Sequence, residues 1–100
     1  MLPRNRRPTP PGEILRHEFL EPLGLSQKAL AQALGITRVR LSEILRGKRA
    51  ITPDTAFRLG RFFDTTAEFW LGLQTDIDLW DTLQVHYTEY EKIKPVKAAA

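Results

Sequence analysis

The 100-residue sequence contains no cysteine, so it can build neither a disulfide framework nor a thiolate metal site. Its two histidines, His17 and His86, lie far apart in the chain, and its carboxylates do not fall at metal-ligand spacing. His86 near Glu89 is the best acid–base pair on offer, and an ordinary helix-end contact accounts for it. With no nucleophile–base pair and no metal set, the sequence argues against an enzyme; no catalytic residue, cofactor, metal or small-molecule ligand is expected. No apolar run approaches the ~18 residues that a membrane span needs. The basic N-terminus lacks the apolar stretch of a secretory signal, so a cytoplasmic location is expected. Strand-like alternation is also missing, and the length suits one domain with one modest core.

Charge, in contrast, is plentiful and unevenly placed. The net charge is +3, but residues 1–61 carry twelve Lys and Arg against five acids, while residues 62–91 carry seven acids and no Lys or Arg. Such asymmetry points to two different partners. The basic part suits nucleic acid. The acidic part should face away from DNA, toward a basic protein or simply toward solvent.

The basic part centres on SQKALAQALGITRVRLSEILRGKR, residues 26–49. Ser26 is placed to cap a helix whose Leu30, Ala31 and Leu34 share one face, and Gly35 supplies the left-handed position that ends it. Thr37 is placed to cap a second helix only two residues later, with Leu41, Ile44 and Leu45 as its apolar stripe and Gly47 as its stop. Two helices joined so tightly must cross steeply, as in a helix-turn-helix, and Ala31 is small enough to let them approach. The polar face of the second helix carries Arg38, Val39, Arg40, Ser42, Glu43 and Arg46, with Lys48 and Arg49 just beyond. A recognition helix reads the major groove with residues near its N-terminus. Arg38 and Arg40 stand at those positions, where an arginine fork matches guanine, and Val39 can touch a thymine methyl. Gln27, at the start of the first helix, can donate to a phosphate or buttress an arginine, and the capping Thr37 is a further DNA-binding candidate. Five basic residues against one acid between Ile36 and Ala50 favour double-stranded DNA over an ordinary solvated face.

Around this unit the sequence predicts three more helices. Residues 1–10 are basic and proline-broken, and read as a flexible arm in which Arg4, Arg6 and Arg7 are available to a partner. Helix 1 should start at Pro11, with Glu13 in its first turn, Ile14, Leu15 and Phe19 on its inner face, and a stop at Pro22. Thr52, Pro53 and Asp54 form a start signal for helix 4, whose inner face is Ala56, Leu59, Gly60 and Phe63. A Thr65-to-Glu68 capping box opens helix 5, which carries Phe69, Trp70, Leu73, Ile77 and Trp80 and should end near Leu83. Residues 86–100 read as a frayed tail. The expected architecture is an all-α, compact five-helix domain over residues 11–85, ending in a C-terminal helix that dimerises. Two-fold operator half-sites match a two-fold dimer, and Ile77 and Trp80 are the predicted interface.

Three stretches carry a resemblance to a known family. They are Pro11-Gly12-Glu13-Ile14-Leu15 with Phe19-Leu20-Glu21-Pro22-Leu23-Gly24, then Ser26-Gln27 through Gly47-Lys48-Arg49, then Thr52-Pro53-Asp54-Thr55-Ala56 leading to Glu68-Phe69-Trp70-Leu71. The chain resembles the HigA (host-inhibition-of-growth) antitoxins, within the lambda-repressor-like, or XRE-type, helix-turn-helix group, over roughly residues 10–80. The helix-turn-helix part is shared by many repressors; the Pro-Gly-Glu-Ile-Leu start with the Glu-Phe-Trp-Leu signature is far more specific. The chain departs from the family pattern at Pro10, where a histidine is common, at Asp64, where glycine is usual and positive φ is easiest, and at Trp80.

The resemblance implies a type II antitoxin that represses its own operon and binds a basic toxin similar to the RelE-like mRNA endonucleases. Glu13, Glu18 and Glu21 on helix 1 are the candidate toxin contacts, with the acidic segment from Phe62 to Glu91 as the other candidate surface. A solitary XRE-type repressor without a toxin partner uses the same DNA-binding machinery and is the alternative. The neighbouring reading frame separates the two.

Overall fold

The structure, a computed structural model, describes residues 6–97, all helical or irregular. Five helices follow one another, and the first departs most from expectation. Helix α1 runs without a break from Pro11 to Leu23: it is α-helical over Pro11–Ile14, widened into a π-helical stretch over Leu15–Leu20, and α-helical again over Glu21–Leu23. Pro22 therefore does not stop it. In a regular α-helix the proline ring collides with the carbonyl four residues back and lacks the N–H to bond it. Here the preceding turn is already opened, with the Glu21 N–H bonding five residues back to the Arg16 carbonyl, and the ring is accommodated. The stop comes at Gly24, at φ 64°. The Leu25 N–H reaches the Leu20 carbonyl at 3.0 Å and the Gly24 N–H the Glu21 carbonyl at 3.2 Å, a Schellman closure.

Helix α2 (Gln27–Leu34), α3 (Arg38–Leu45) and α4 (Pro53–Phe63) begin where their caps place them. The hydroxyls of Ser26, Thr37 and Thr52 accept from the backbone N–H groups of Ala29, Arg40 and Thr55. At α5 (Ala67–Glu91) the expected capping box is displaced by one residue. Thr66, not Thr65, caps the helix, accepting from the Phe69 N–H at 3.0 Å. The Thr65 hydroxyl accepts instead from the Trp70 indole N–H at 2.8 Å, and that bond satisfies the one polar group of a fully buried ring. Between α4 and α5 Asp64 takes φ 57°. The substitution of the family's glycine thus keeps the left-handed corner, which a short aspartate side chain tolerates better than most.

One core unites the helices. Leu15 of α1, Leu30 of α2, Leu41 of α3, Leu59 of α4 and Trp70 of α5 are all fully buried in it. Phe19 extends it, with its ring centroid 4.7 Å from Phe63 and 5.1 Å from Trp70. Trp70 is thus a core residue, not a surface for partners. Gly12 lets α1 cross the end of α3 at backbone contact: a Cβ there would meet the Leu45 carbonyl oxygen at 2.8 Å and the Ile44 carbonyl oxygen closer still.

The C-terminal helix is longer than expected, passing Leu83 and His86 to end at Glu91. Residues 86–91, predicted to be frayed, form its last turns, and His86 there contacts Glu89 at 2.9 Å and stacks near Tyr90. These i,i+3 and i,i+4 contacts continue the helix beyond the core. The radius of gyration is accordingly 17.0 Å, against about 13 Å for a compact chain of this length. The N-terminal arm departs in the opposite sense. Its described part is not loose, since Arg7 is ion-paired to Asp81 on α5; Arg4 and the three terminal alanines lie outside the described residues. No helix among the described residues is long and apolar enough to cross a membrane.

Candidate nucleic-acid interface

The site is built by two caps and one turn. Gly35, at φ 72°, ends α2, and the Ile36 N–H returns to the Ala31 carbonyl at 3.1 Å. Thr37 then starts α3 in the opposite direction. Ala31 and Leu34 of α2 share the buried cluster with Leu41, Ile44 and Leu45 of α3, which fixes the crossing and leaves the first turn of α3 outward. Arg38 and Val39 stand there exposed, Val39 at 68 %. An apolar side chain so exposed beside an arginine is what a groove-facing first turn requires. Gln27, at the first position of α2, and Ser42 are half-buried. The Thr37 oxygen is committed to its cap, leaving its proton to donate.

Arg40 is placed differently from Arg38. Its guanidinium Nη2 donates to the Asp54 carboxylate at 3.1 Å and to the buried Thr55 hydroxyl at 2.6 Å. The side chain folds back onto the start of α4 instead of standing out beside Arg38, although both occupy the positions from which base edges were expected to be reached. Arg49 is also engaged: its guanidinium donates twice to Glu43 Oε1, at 2.8 and 3.0 Å. The Lys48 N–H bonds the Glu43 carbonyl at 2.8 Å, so Glu43 fixes the turn after α3 from both its backbone and its side chain. Arg46 and Lys48 remain exposed on that turn.

The network around Arg40 contains residues that the sequence alone did not assign to the site. Asp54 accepts from Arg58 Nε at 2.9 Å as well as from Arg40, and Arg58 Nη1 donates to the Leu34 carbonyl at 2.8 Å. These bonds, Arg58 first and Arg40 second, hold the Asp54 carboxyl below the usual carboxylate range. One carboxylate thus joins α3 to α4, and through Arg58 to the end of α2. The available signal was the i,i+4 spacing of Asp54 and Arg58; the reach from Arg40 depends on tertiary structure and leaves no local pattern.

The other expected contacts are separate from this face. Glu13, Glu18 and Glu21 are exposed on α1, with Glu21 Oε1 at 3.1 Å from His17 Nδ1. Of the pair expected at a dimer interface, Ile77 is only 5 % exposed. It turns into the cleft between Pro11, Gly12 and the turn after α3, because α1 crosses α5 at that level; it has almost no surface to offer a second copy. Trp80, one turn on, is half-buried.

This architecture defines a five-helix, lambda-repressor-like helix-turn-helix protein of the DNA-binding class, and the helix-turn-helix family profile matches residues 17–70. The chain is 46 % identical over 81 residues to the uncharacterized HTH-type transcriptional regulator YbaQ of Escherichia coli, covering 81 % of this chain and 72 % of that one. It is 41 % identical to the antitoxin HigA-1 of Vibrio cholerae over 96 residues, 96 % of this chain and 90 % of the relative. The antitoxin HigA of Pseudomonas aeruginosa, solved with the higBA promoter, superposes with a TM-score of 0.86 at 41 % identity, over 91 % of this chain and 100 % of that one. The chain belongs to the HigA antitoxin family.

Proposed function

We propose that this protein is the antitoxin of a type II pair: it binds double-stranded operator DNA of its own operon and neutralises, by direct contact, a basic toxin similar to the RelE-like mRNA endonucleases. The observation that carries the DNA half is the exposed first turn of α3, with Arg38 and Val39 outward and Arg46 and Lys48 behind them. The Pseudomonas relative solved with promoter DNA supports it. The work takes place in the cytoplasm, where operator and ribosome both lie. Bases are read by Arg38 and Val39; phosphates are held by Gln27, Thr37, Ser42, Arg46, Lys48 and Arg49, and Arg40 acts from its bridge to α4.

Two copies acting as a homodimer place two such turns on half-sites about 34 Å apart. With Ile77 covered, the dimer surface falls on Trp80 and the projecting turns of α5, where Leu79 and Val85 are exposed. Sedimentation of a dimer at micromolar concentration, weakened by Trp80→Ala, is the expected result; a monomer unchanged by the substitution removes this surface.

The toxin half is supported by the family and by charge: acids from Phe62 to Glu91 and the exposed Glu13, Glu18 and Glu21 offer complementarity to a basic partner. The test is co-expression with the neighbouring small reading frame, scoring rescue from growth arrest and repression of a reporter behind the upstream DNA. Repression without rescue leaves a solitary XRE-type repressor as the reading.

A further inference from the structure

The cleft that Ile77 enters gathers positive charge from two separate parts of the chain. It encloses about 670 Å³ between the first turns of α1, the turn after α3 and the middle of α5. Arg16 of α1 lines it together with Arg46 and Lys48 of the turn. Among the described residues none of these three has an ion pair or a side-chain hydrogen bond. The other two basic groups there are engaged, Arg7 by Asp81 and Arg49 by Glu43. Of the acids lining the cleft, Asp81 holds Arg7 and Asp78 accepts from Gln74, which leaves Glu13. Three cations face one free carboxylate, and like charges brought to one place repel.

The position of Arg16 is fixed by packing. Gly12 brings α1 against the Ile44 and Leu45 carbonyls at the end of α3. Arg16, four residues further along α1, comes up half-buried beside the turn that follows. Helix α3 is eight residues long, or about 12 Å. A helix that reads base edges with its first turn carries its last turn toward the phosphates that border the groove. Arg46 and Lys48 stand on that border, and α1 delivers a third cation to it. A phosphate entering there offsets the mutual repulsion of the three.

We propose that Arg16 is a further DNA-binding residue, which holds a backbone phosphate of the operator duplex together with Arg46 and Lys48 and so extends the interface from the helix-turn-helix onto α1. The inference rests on the DNA-binding reading above. A phosphate contact carries no sequence information, so its contribution is the same for operator and for unrelated DNA.

The experiment is a salt-dependent binding titration of the full chain on duplexes spanning its own upstream DNA and on a scrambled duplex of equal composition, beside thermal melts. Arg16→Gln removes the charge, and Arg16→Lys keeps it. Arg16→Gln is expected to bind both duplexes about fivefold more weakly at about 0.15 M salt, with a log–log salt slope flatter by about one, the worth of one released counterion. Arg16→Lys restores the slope, and the melting midpoint of both variants stays at the wild-type value. Unchanged affinity and slope in Arg16→Gln would overturn the proposal, and so would a lowered midpoint with an unchanged slope. A second measurement needs only the wild type: the Arg16 Nε–H resonance should shift when duplex is added. A resonance that moves with inorganic phosphate at matched ionic strength, and not with duplex, would assign the cleft to free phosphate and overturn the proposal as well. A wild type that cannot tell operator from scrambled DNA overturns the DNA reading itself, and this inference with it.

Discussion

Arg7 and Asp81 are joined by a two-pronged ion pair, Nε to Oδ1 and Nη2 to Oδ2, both at 2.8 Å, across 74 residues of chain. It ties the segment before α1 to the middle of α5, above the cleft that Ile77 enters. The hydrogen bonds from Arg7 hold the Asp81 carboxyl below its ordinary value. A carboxylate with a depressed value contributes its stabilisation in full above the ordinary range and loses it as pH falls through the lowered value.

The first prediction follows from that pair. Asp81→Asn should free residues 6–10, seen as faster backbone amide exchange there and faster tryptic cleavage after Arg6, with little change in the melting temperature of the domain. The same release should occur in the wild type as pH falls below the usual carboxylate range, and in high salt at neutral pH, because both partners are nearly half exposed. Protection of these amides that is indifferent to pH, salt and the substitution would show that the segment is held by something else.

Gly12 supplies the second. A Cβ would press on the carbonyls of Ile44 and Leu45, and both are backbone atoms at the end of α3 that cannot rotate away. Gly12→Ala should cost about 1–3 kcal/mol, the usual range for overpacking. For a domain of this size each kcal/mol lowers the melting point by about 4–8 °C. Since the strain falls on the end of the recognition helix, operator binding should weaken in the same variant. A melting point within a degree or so of wild type would mean that α1 can lift from α3 at no cost.

How far the sequence carried this architecture depends on the range of the interaction. Caps at Ser26, Thr37 and Thr52, the glycine stops and the apolar stripes are local signals, and each of them stands where it was expected. The errors have causes that these local patterns do not display. Pro22 is tolerated because the π-helical turn before it opens the backbone, Thr65 is taken from the cap by the indole of Trp70, and Ile77 is covered by α1 crossing overhead. The site divides in the same way. Arg38 and Val39 are exposed as their positions at the start of a helix implied, whereas the bridge from Arg40 to Asp54 spans 14 residues and two helices.

That bridge separates the two arginines in the third prediction. Arg38→Ala should lower operator affinity by about 1–3 kcal/mol and relax the preferred sequence, leaving the melting point nearly unchanged because the side chain is exposed. Arg40→Ala removes a half-buried tether and leaves the buried Thr55 hydroxyl with the Thr52 hydroxyl as its remaining side-chain partner; it should lower both the melting point and operator affinity. Lys48→Ala should weaken all sequences alike and flatten the salt dependence. Gel-shift titrations beside thermal melts resolve the three patterns. Equal loss of sequence preference in the Arg38 and Arg40 variants, with equal melting points, would mean that Arg40 leaves Asp54 to read bases.

The last prediction concerns the toxin surface. Two acidic regions compete: the exposed Glu13, Glu18 and Glu21 of α1, and the acids of α5. They differ in what already occupies them. Asp81 on α5 is engaged by Arg7 and Asp78 accepts from Gln74 at 2.9 Å, so a basic partner docking there must displace internal contacts. Among the described residues, Glu21 is the one of the three α1 acids with a side-chain hydrogen bond, to the exposed His17, and an exposed pair of that kind is worth little. Charge complementarity therefore costs least on α1. Changing Glu13, Glu18 and Glu21 together to lysine should abolish copurification with the neighbouring basic protein and rescue of growth, while operator binding is kept or strengthened by the added positive charge. Copurification and rescue that survive the triple change would clear α1. The next variants would then be Asp76, Asp78 and Glu89 on α5, with Asp81→Asn testing whether the Arg7 contact competes with the toxin.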